Sequence, residues 1–291
     1  MLRRIAIRFI EENSGRCVER HADRPIGANV LIENKAGASG ILAGVALKDA
    51  PPDGTVIMFA PSSATVAQKV TRKSMPFDLE KDLAPIGMAG TTATVYVVSP
   101  TIGVSNMSEY VAWLKRNPGR ASFGTAAMGS STHFFGVEIG QAIGIPLQPI
   151  AYKGTGPMLT DLAGGHIAAG CGGVTSFLQH HRTGKLRIIA DSSPKRSKVA
   201  PDLPTIGELG YPKLAHNGFY GFYAPARTRP EVIDAWNREL RAVLDTPDMH
   251  KRLADLGLDV ETSTPAEFAE RQARDIVAFT RSMKAAGFEP E

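Results

Sequence analysis

Cysteine is nearly absent from this chain. Of 291 residues only two, Cys17 and Cys171, are cysteine, and they lie far apart with no C-x-x-C pair. This excludes a zinc ribbon, an iron–sulfur site and a disulfide scaffold, and the two fall in different predicted lobes, which argues against a bridge. Metal signatures are missing too: the 7 histidines include no H-E-x-x-H and no i, i+4 pair, and His180-His181 reads as the polar end of a helix. No metal or other cofactor is expected. Gly184-Lys185 lacks the upstream glycine and the following hydroxyl of a phosphate loop, and no G-x-G-x-x-G follows a strand. No apolar run approaches the ~18–20 residues that cross a bilayer. Neither sign of charge dominates: 33 Lys and Arg stand against 29 Asp and Glu, a net +4 spread along the chain. Without a basic stripe interleaved with aromatics, nucleic acid is not an expected partner.

What the chain has is glycine (29) and proline (20) in a sequence 43% hydrophobic, the composition of a folded protein rich in turns. Its length exceeds one core and predicts two lobes. Short β-rich runs alternate with helical patterns, as in α/β units around a largely parallel sheet. Strands are expected at Asn29–Glu33, Thr55–Ala60, Val95–Val98, Ala121–Gly124, Gln148–Tyr152, Ile167–Cys171 and Leu186–Ala190. Helices are expected at Ile41–Leu47, Ser105–Asn117, Ser131–Ile143, from Lys153 through Leu162, and at Ser176–His181. The last third reads as helical, with Pro230, Pro247 and Pro265 at or near first helical positions and a capping box at Thr264–Glu267. The opening MLRRIAIRFIEENSGR starts like a secretory signal, but Glu11 and Glu12 interrupt the apolar stretch, so no clear signal peptide is read.

Two strand-to-helix junctions recur with the same chemistry, Ser62-Ser63-Ala64-Thr65 and Gly129-Ser130-Ser131-Thr132. A helix start offers free N–H groups and about half a positive charge, and adjacent hydroxyls add donors, so such turns suit carboxylate or phosphate without a cationic side chain. Ordinary N-capping is the competing explanation. A hydrolase on the same scaffold, using Ser131 with a histidine from elsewhere in the chain, is the alternative in catalytic terms. However, no G-x-S-x-G occurs, and Ser131 and His133 on one helical turn diverge.

Several motifs then fall in a familiar order. Val30–Gly40, Ala50-Pro51-Pro52-Asp53-Gly54-Thr55, Met75–Ile86, Gly129-Ser130-Ser131-Thr132-His133, Tyr152–Pro157, Thr160-Asp161-Leu162 with Gly164–Ile167, Gly184–Arg187, Pro201–Thr205 and Tyr220–Pro225 resemble the Bug, or TctC-like, family. These are extracytoplasmic solute receptors of tripartite tricarboxylate transporters. The resemblance covers about residues 28 to 288. It implies an α/β, periplasmic-binding-protein-like (type II) fold of two lobes with a ligand cleft between them. Residues 1–100 and 225–291 would form a discontinuous first lobe and 101–224 the second. It further implies a periplasmic monomer that is not an enzyme, binds a small-molecule carboxylate and hands it to the membrane components of a tripartite transporter or to a sensor. Carried over by position, the ligand contacts are Ser62, Ser63 and Thr65 from one lobe and Thr125, Gly129, Ser130, Ser131, Thr132 and His133 from the other.

Two departures from the family pattern bear on the site. Members usually begin with a strand and a Pro-Gly-Gly loop that closes over one carboxylate. Residues 1–27 show no such loop, so the further alternative is a non-functional, truncated relic, in which a missing first strand would remove a central ladder. Where many members carry an Asp-Asn pair, this chain has Gly172-Gly173, which is expected to widen the cleft or leave backbone alone to meet the ligand.

Overall fold

The β–α alternation builds two sheets, each buried on both faces by helices. A computed structural model of the chain describes residues 4–9, 29–35, 40–126 and 128–290. Contacts divide it into two units. One comprises residues up to Thr91 with Phe219–Thr280 and Pro290–Glu291; the other comprises Thr92–Gly218 with Arg281–Glu289.

The first unit carries β1 (Arg4–Phe9), β2 (Asn29–Asn34), β3 (Val56–Pro61), β4 (Leu83–Thr92), β10 (Gly218–Pro225) and β11 (Asp259–Val260), in the order β11-β4-β10-β3-β1-β2. β1 pairs in parallel with both β2 and β3, so Arg4–Phe9, within the segment that reads as an interrupted signal, is an interior strand. The missing first strand that a truncated relic would show is therefore not seen, since Arg4–Phe9 fills that ladder; the expectation about the Pro-Gly-Gly loop falls mostly on residues outside the described ones. Helix α1 (Ile41–Lys48) links β2 to β3, and α2 (Val66–Thr71) follows β3.

The side chains of β3 alternate between two cores, as the two-residue period of a strand requires. Ile57 and Phe59 join Ile86, Phe222, Trp236 and Leu240 under α7 (Pro230–Leu244) and α8 (Pro247–Asp255). Met58 and Ala60 join Phe77, Phe219, Tyr223 and Phe268 under α9 (Pro265–Ala285). A strand covered on both faces is a continuous apolar run, which is why β3 is legible in the sequence.

β4 is not legible, because Pro85, Gly87 and Gly90 dilute its pattern. The two glycines are close-approach positions: a Cβ would lie 3.0 Å from the Ser263 carbonyl oxygen at Gly87 and 2.6 Å from that of Asp259 at Gly90.

The second unit carries β5 (Thr94–Val98), β6 (Ser122–Thr125), β7 (Gln148–Ala151), β8 (Ala169–Gly173) and β9 (Arg187–Asp191), in the order β7-β6-β8-β5-β9. β6 runs parallel to β7 and β8, whereas β5 is antiparallel to β8 and β9. Around the sheet lie α3 (Met107–Arg116), α4 (Ser131–Ala142), α5 (Thr155–Gly164) and α6 (Val174–Arg182). Side chains cap the starts of α3 and α9, the latter at Thr264–Glu267 as the sequence indicates. The Asn106 carboxamide oxygen accepts the Glu109 amide at 2.9 Å, and Thr264 and Glu267 exchange bonds of 2.8 and 3.2 Å.

Candidate functional site

In the first unit, β3 ends at Pro61, and Ser62–Ala64 makes one 3-10 turn before α2. No side chain caps either short helix. The Ser62 hydroxyl accepts the Phe219 amide at 3.2 Å, tying the turn to β10 and leaving its own O–H to donate. Ser63 is exposed. Thr65 behaves differently: it is buried, its hydroxyl donates to the Pro61 carbonyl at 3.3 Å, and the Tyr223 hydroxyl approaches it at 3.5 Å. Tyr223 makes the shorter bond, 3.1 Å, to Gln272 on α9. Burial pushes the Tyr223 phenol well up, so it stays neutral and donates. Thr65 is thereby occupied in holding the turn.

In the second unit, β6 leads through Gly129 and Ser130 into α4. Ser130 is the N-cap, its hydroxyl accepting the His133 amide at 3.4 Å. Three hydroxyls form a chain, with Thr132 Oγ1 lying 2.9 Å from Thr125 Oγ1 and 2.8 Å from Ser130 Oγ. Thr125 is fully buried at the end of β6, so the chain anchors the helix start to the sheet. The Gly129 amide donates to His133 Nδ1 at 3.1 Å. Burial lowers the His133 pKa, so the ring is neutral at pH 7, with Nδ1 as acceptor and the proton on Nε2. Ser131 is half-buried and, among the described residues, its hydroxyl has no partner. Gly129 has φ +73°, the left-handed conformation that glycine adopts without penalty.

The Gly172-Gly173 pair closes β8. A Cβ at Gly172 would collide with the Phe177 ring of α6, so the space left by the missing side chain is filled rather than open. This overturns half of the expectation that the pair widens the site. Gly173 faces only Thr175 Oγ1, 3.6 Å from where a Cβ would stand, and precedes α6 as its uncapped N-cap residue.

The expected residues thus sort into two kinds. Thr65, Thr125, Gly129, Ser130, Thr132 and His133 build the turns and Gly172 packs on α6, whereas Ser62, Ser63 and Ser131 keep a hydroxyl proton to donate and Gly173 offers bare backbone. Sequence reasoning missed Tyr223 and Phe177, whose partners lie far away in the chain or one helical turn on and leave no spacing signal. His133 itself is not a base for Ser131, because its Nδ1 is taken by the Gly129 amide. Among the described residues no group of three or more His, Cys, Asp or Glu side chains gathers as a metal site.

The family profile described as tripartite tricarboxylate transporter family receptor matches residues 15–283. The chain belongs to this TctC family. The Bordetella pertussis protein BugT is 31% identical to it over 251 residues, 86% of this chain and 77% of BugT. The structure of the periplasmic binding protein BugD superposes with a TM-score of 0.83 at 26% identity, covering 99% of both chains. An R. palustris protein solved with adipate gives 0.86 over 99% of each chain at 21% identity, a likeness of fold. Family and fold are those of periplasmic solute receptors, not of enzymes, and the mixed α/β architecture with two sheets is theirs.

Proposed function

We propose that this TctC-family chain is a periplasmic receptor for a small carboxylated solute, a dicarboxylate, acidic amino acid or aromatic carboxylate, delivered to a tripartite-type transporter or a sensor. The observation that carries this reading is the start of α4, where a helix N-terminus on a hydroxyl-rich turn supplies neutral donors to an anion. An N-terminus of this length attracts a carboxylate through its first N–H groups and the aligned peptide dipoles. Ser131 adds a hydroxyl, and the Thr125–Thr132–Ser130 chain keeps the donors in place without reorganisation. Ser62 and Ser63 offer the same chemistry in the first unit. The adipate found in one relative of the same fold supports a carboxylate of this size.

Binding through neutral donors predicts an affinity that changes little with salt, unlike a lysine- or arginine-built site. Titration calorimetry against C4–C6 dicarboxylates, acidic amino acids and aromatic carboxylates tests the reading. Heat of binding at one-to-one stoichiometry with at least one member is expected; silence across the panel in a folded sample overturns it.

A further inference from the structure

The C-terminal helix ends in an unexpected place. At its end Gly287 (φ +66°) turns the chain, and the Phe288 amide bonds back to the Met283 carbonyl at 3.1 Å, a Schellman-type stop. This reversal lays Phe288 on the turn that opens α4. Its ring sits edge-on to His133 at 5.8 Å and to Phe134 at 5.6 Å between centroids. A Cβ added to Gly129 would come within 2.9 Å of Phe288 Cζ. The segment is pinned alongside by Gln141 of α4, whose carboxamide donates to the Ala285 carbonyl at 2.7 Å. Arg281–Glu289 accordingly belongs with the second unit, although the body of α9 belongs to the first.

We propose that Phe288 is a positioning residue for the α4 turn: its ring clamps His133 and Gly129 so that the Gly129 N–H to Nδ1 bond persists and the first N–H groups of α4 hold their aim. Among the described residues the other aromatic ring packed on His133 is Phe134, on α4 itself. Phe288 is therefore the part of the clamp supplied from elsewhere in the chain, and it is half-buried and outside both cores of the second unit, so its loss need not disturb them. The consequence for solute rests on the receptor reading above; the clamp itself does not.

The test compares the full chain with Phe288→Ala and Phe288→Leu. Amide exchange of Gly129 and the imidazole titration of His133, assigned with His133→Asn, are followed by NMR, and adipate binding by calorimetry. In Phe288→Ala, Gly129 exchange is expected to quicken about tenfold and the His133 pKa to rise as water reaches the ring. Phe288→Leu restores most of both, because it returns apolar cover without an aromatic edge. Adipate affinity is expected to fall about tenfold in Phe288→Ala and to recover in Phe288→Leu, tracking the exchange rate. Unchanged exchange and titration in Phe288→Ala overturn the clamp, as does quickened exchange with undiminished adipate affinity. If the wild-type chain takes no adipate, that counts against the adipate arm of the receptor reading, and exchange and titration alone decide the clamp.

Discussion

Hydroxyls that look equivalent in the sequence have separate duties at the α4 turn. Thr132 bridges Thr125 and Ser130 inside the turn, whereas the Ser131 hydroxyl has no partner among the described residues. Thr132→Val keeps the shape and removes the bridge, so it is expected to cost about 1–2 kcal/mol of stability in urea unfolding. Ser131→Ala breaks no such bond. Its stability should change by less than about 0.5 kcal/mol while adipate affinity in calorimetry falls roughly tenfold. The reverse pattern would exchange their roles. His133 adds a pH signature. Because its folded pKa lies below the ordinary value near 6.5, the unfolded chain takes up the proton first as pH drops. Stability is full above pH ~6.5 and declines as pH falls toward the depressed folded value. Urea midpoints between pH ~7.5 and ~5 should fall more steeply in the wild type than in His133→Asn.

At the scale of elements, legibility follows burial. β3 and β5 announce themselves because both faces are covered, and α3 and α9 through their caps and apolar stripes. β4 stays hidden, since the glycines that let Ser263 and Asp259 approach are residues that sequence rules assign to turns. β1 is obscured by Arg4 and Arg8, although an interior parallel strand needs only a short apolar run. The site is half legible. Hydroxyl turns after strands are visible in one dimension, but the partition into structural and outward hydroxyls depends on Tyr223, Gln272 and Phe288, far off in sequence. Gly136 in α4 shows the same limit. It reads as a weak helix position, yet a Cβ there would run into the Phe123 ring, which is fully buried and has nowhere to move. Gly136→Ala therefore sets a helix-propensity gain of about 1 kcal/mol against overpacking of about 1–3 kcal/mol. A net loss of up to about 2 kcal/mol is expected in thermal or urea unfolding, and a stabilised variant would show that α4 lies farther from β6.

For the molecule as a whole, the chain changes unit after Thr91, after Gly218 and again after Thr280. The third change, the return of the tail to α4, has no spacing or composition signal, because it rests on one glycine turn, one ring and the Gln141–Ala285 hydrogen bond. A receptor built this way links solute binding to overall stability, because a solute that binds only the folded chain draws the unfolding equilibrium toward it. At a concentration about one hundred times the Kd the native state gains about 2.7 kcal/mol. With a shift of about 2–4 °C per kcal/mol for chains of this order of size, the midpoint of thermal unfolding should rise by about 5 °C or more. Saturating adipate is the probe, followed by differential scanning calorimetry at fixed protein concentration and pH ~7.5, where His133 is neutral in both states. The same rise in Ser131→Ala should require about ten times more adipate, since that variant alters affinity and not the fold. A rise that appears in wild type and Ser131→Ala at equal adipate would place the carboxylate away from the α4 turn, because a donor in contact with the anion cannot be removed without moving the concentration at which linkage sets in.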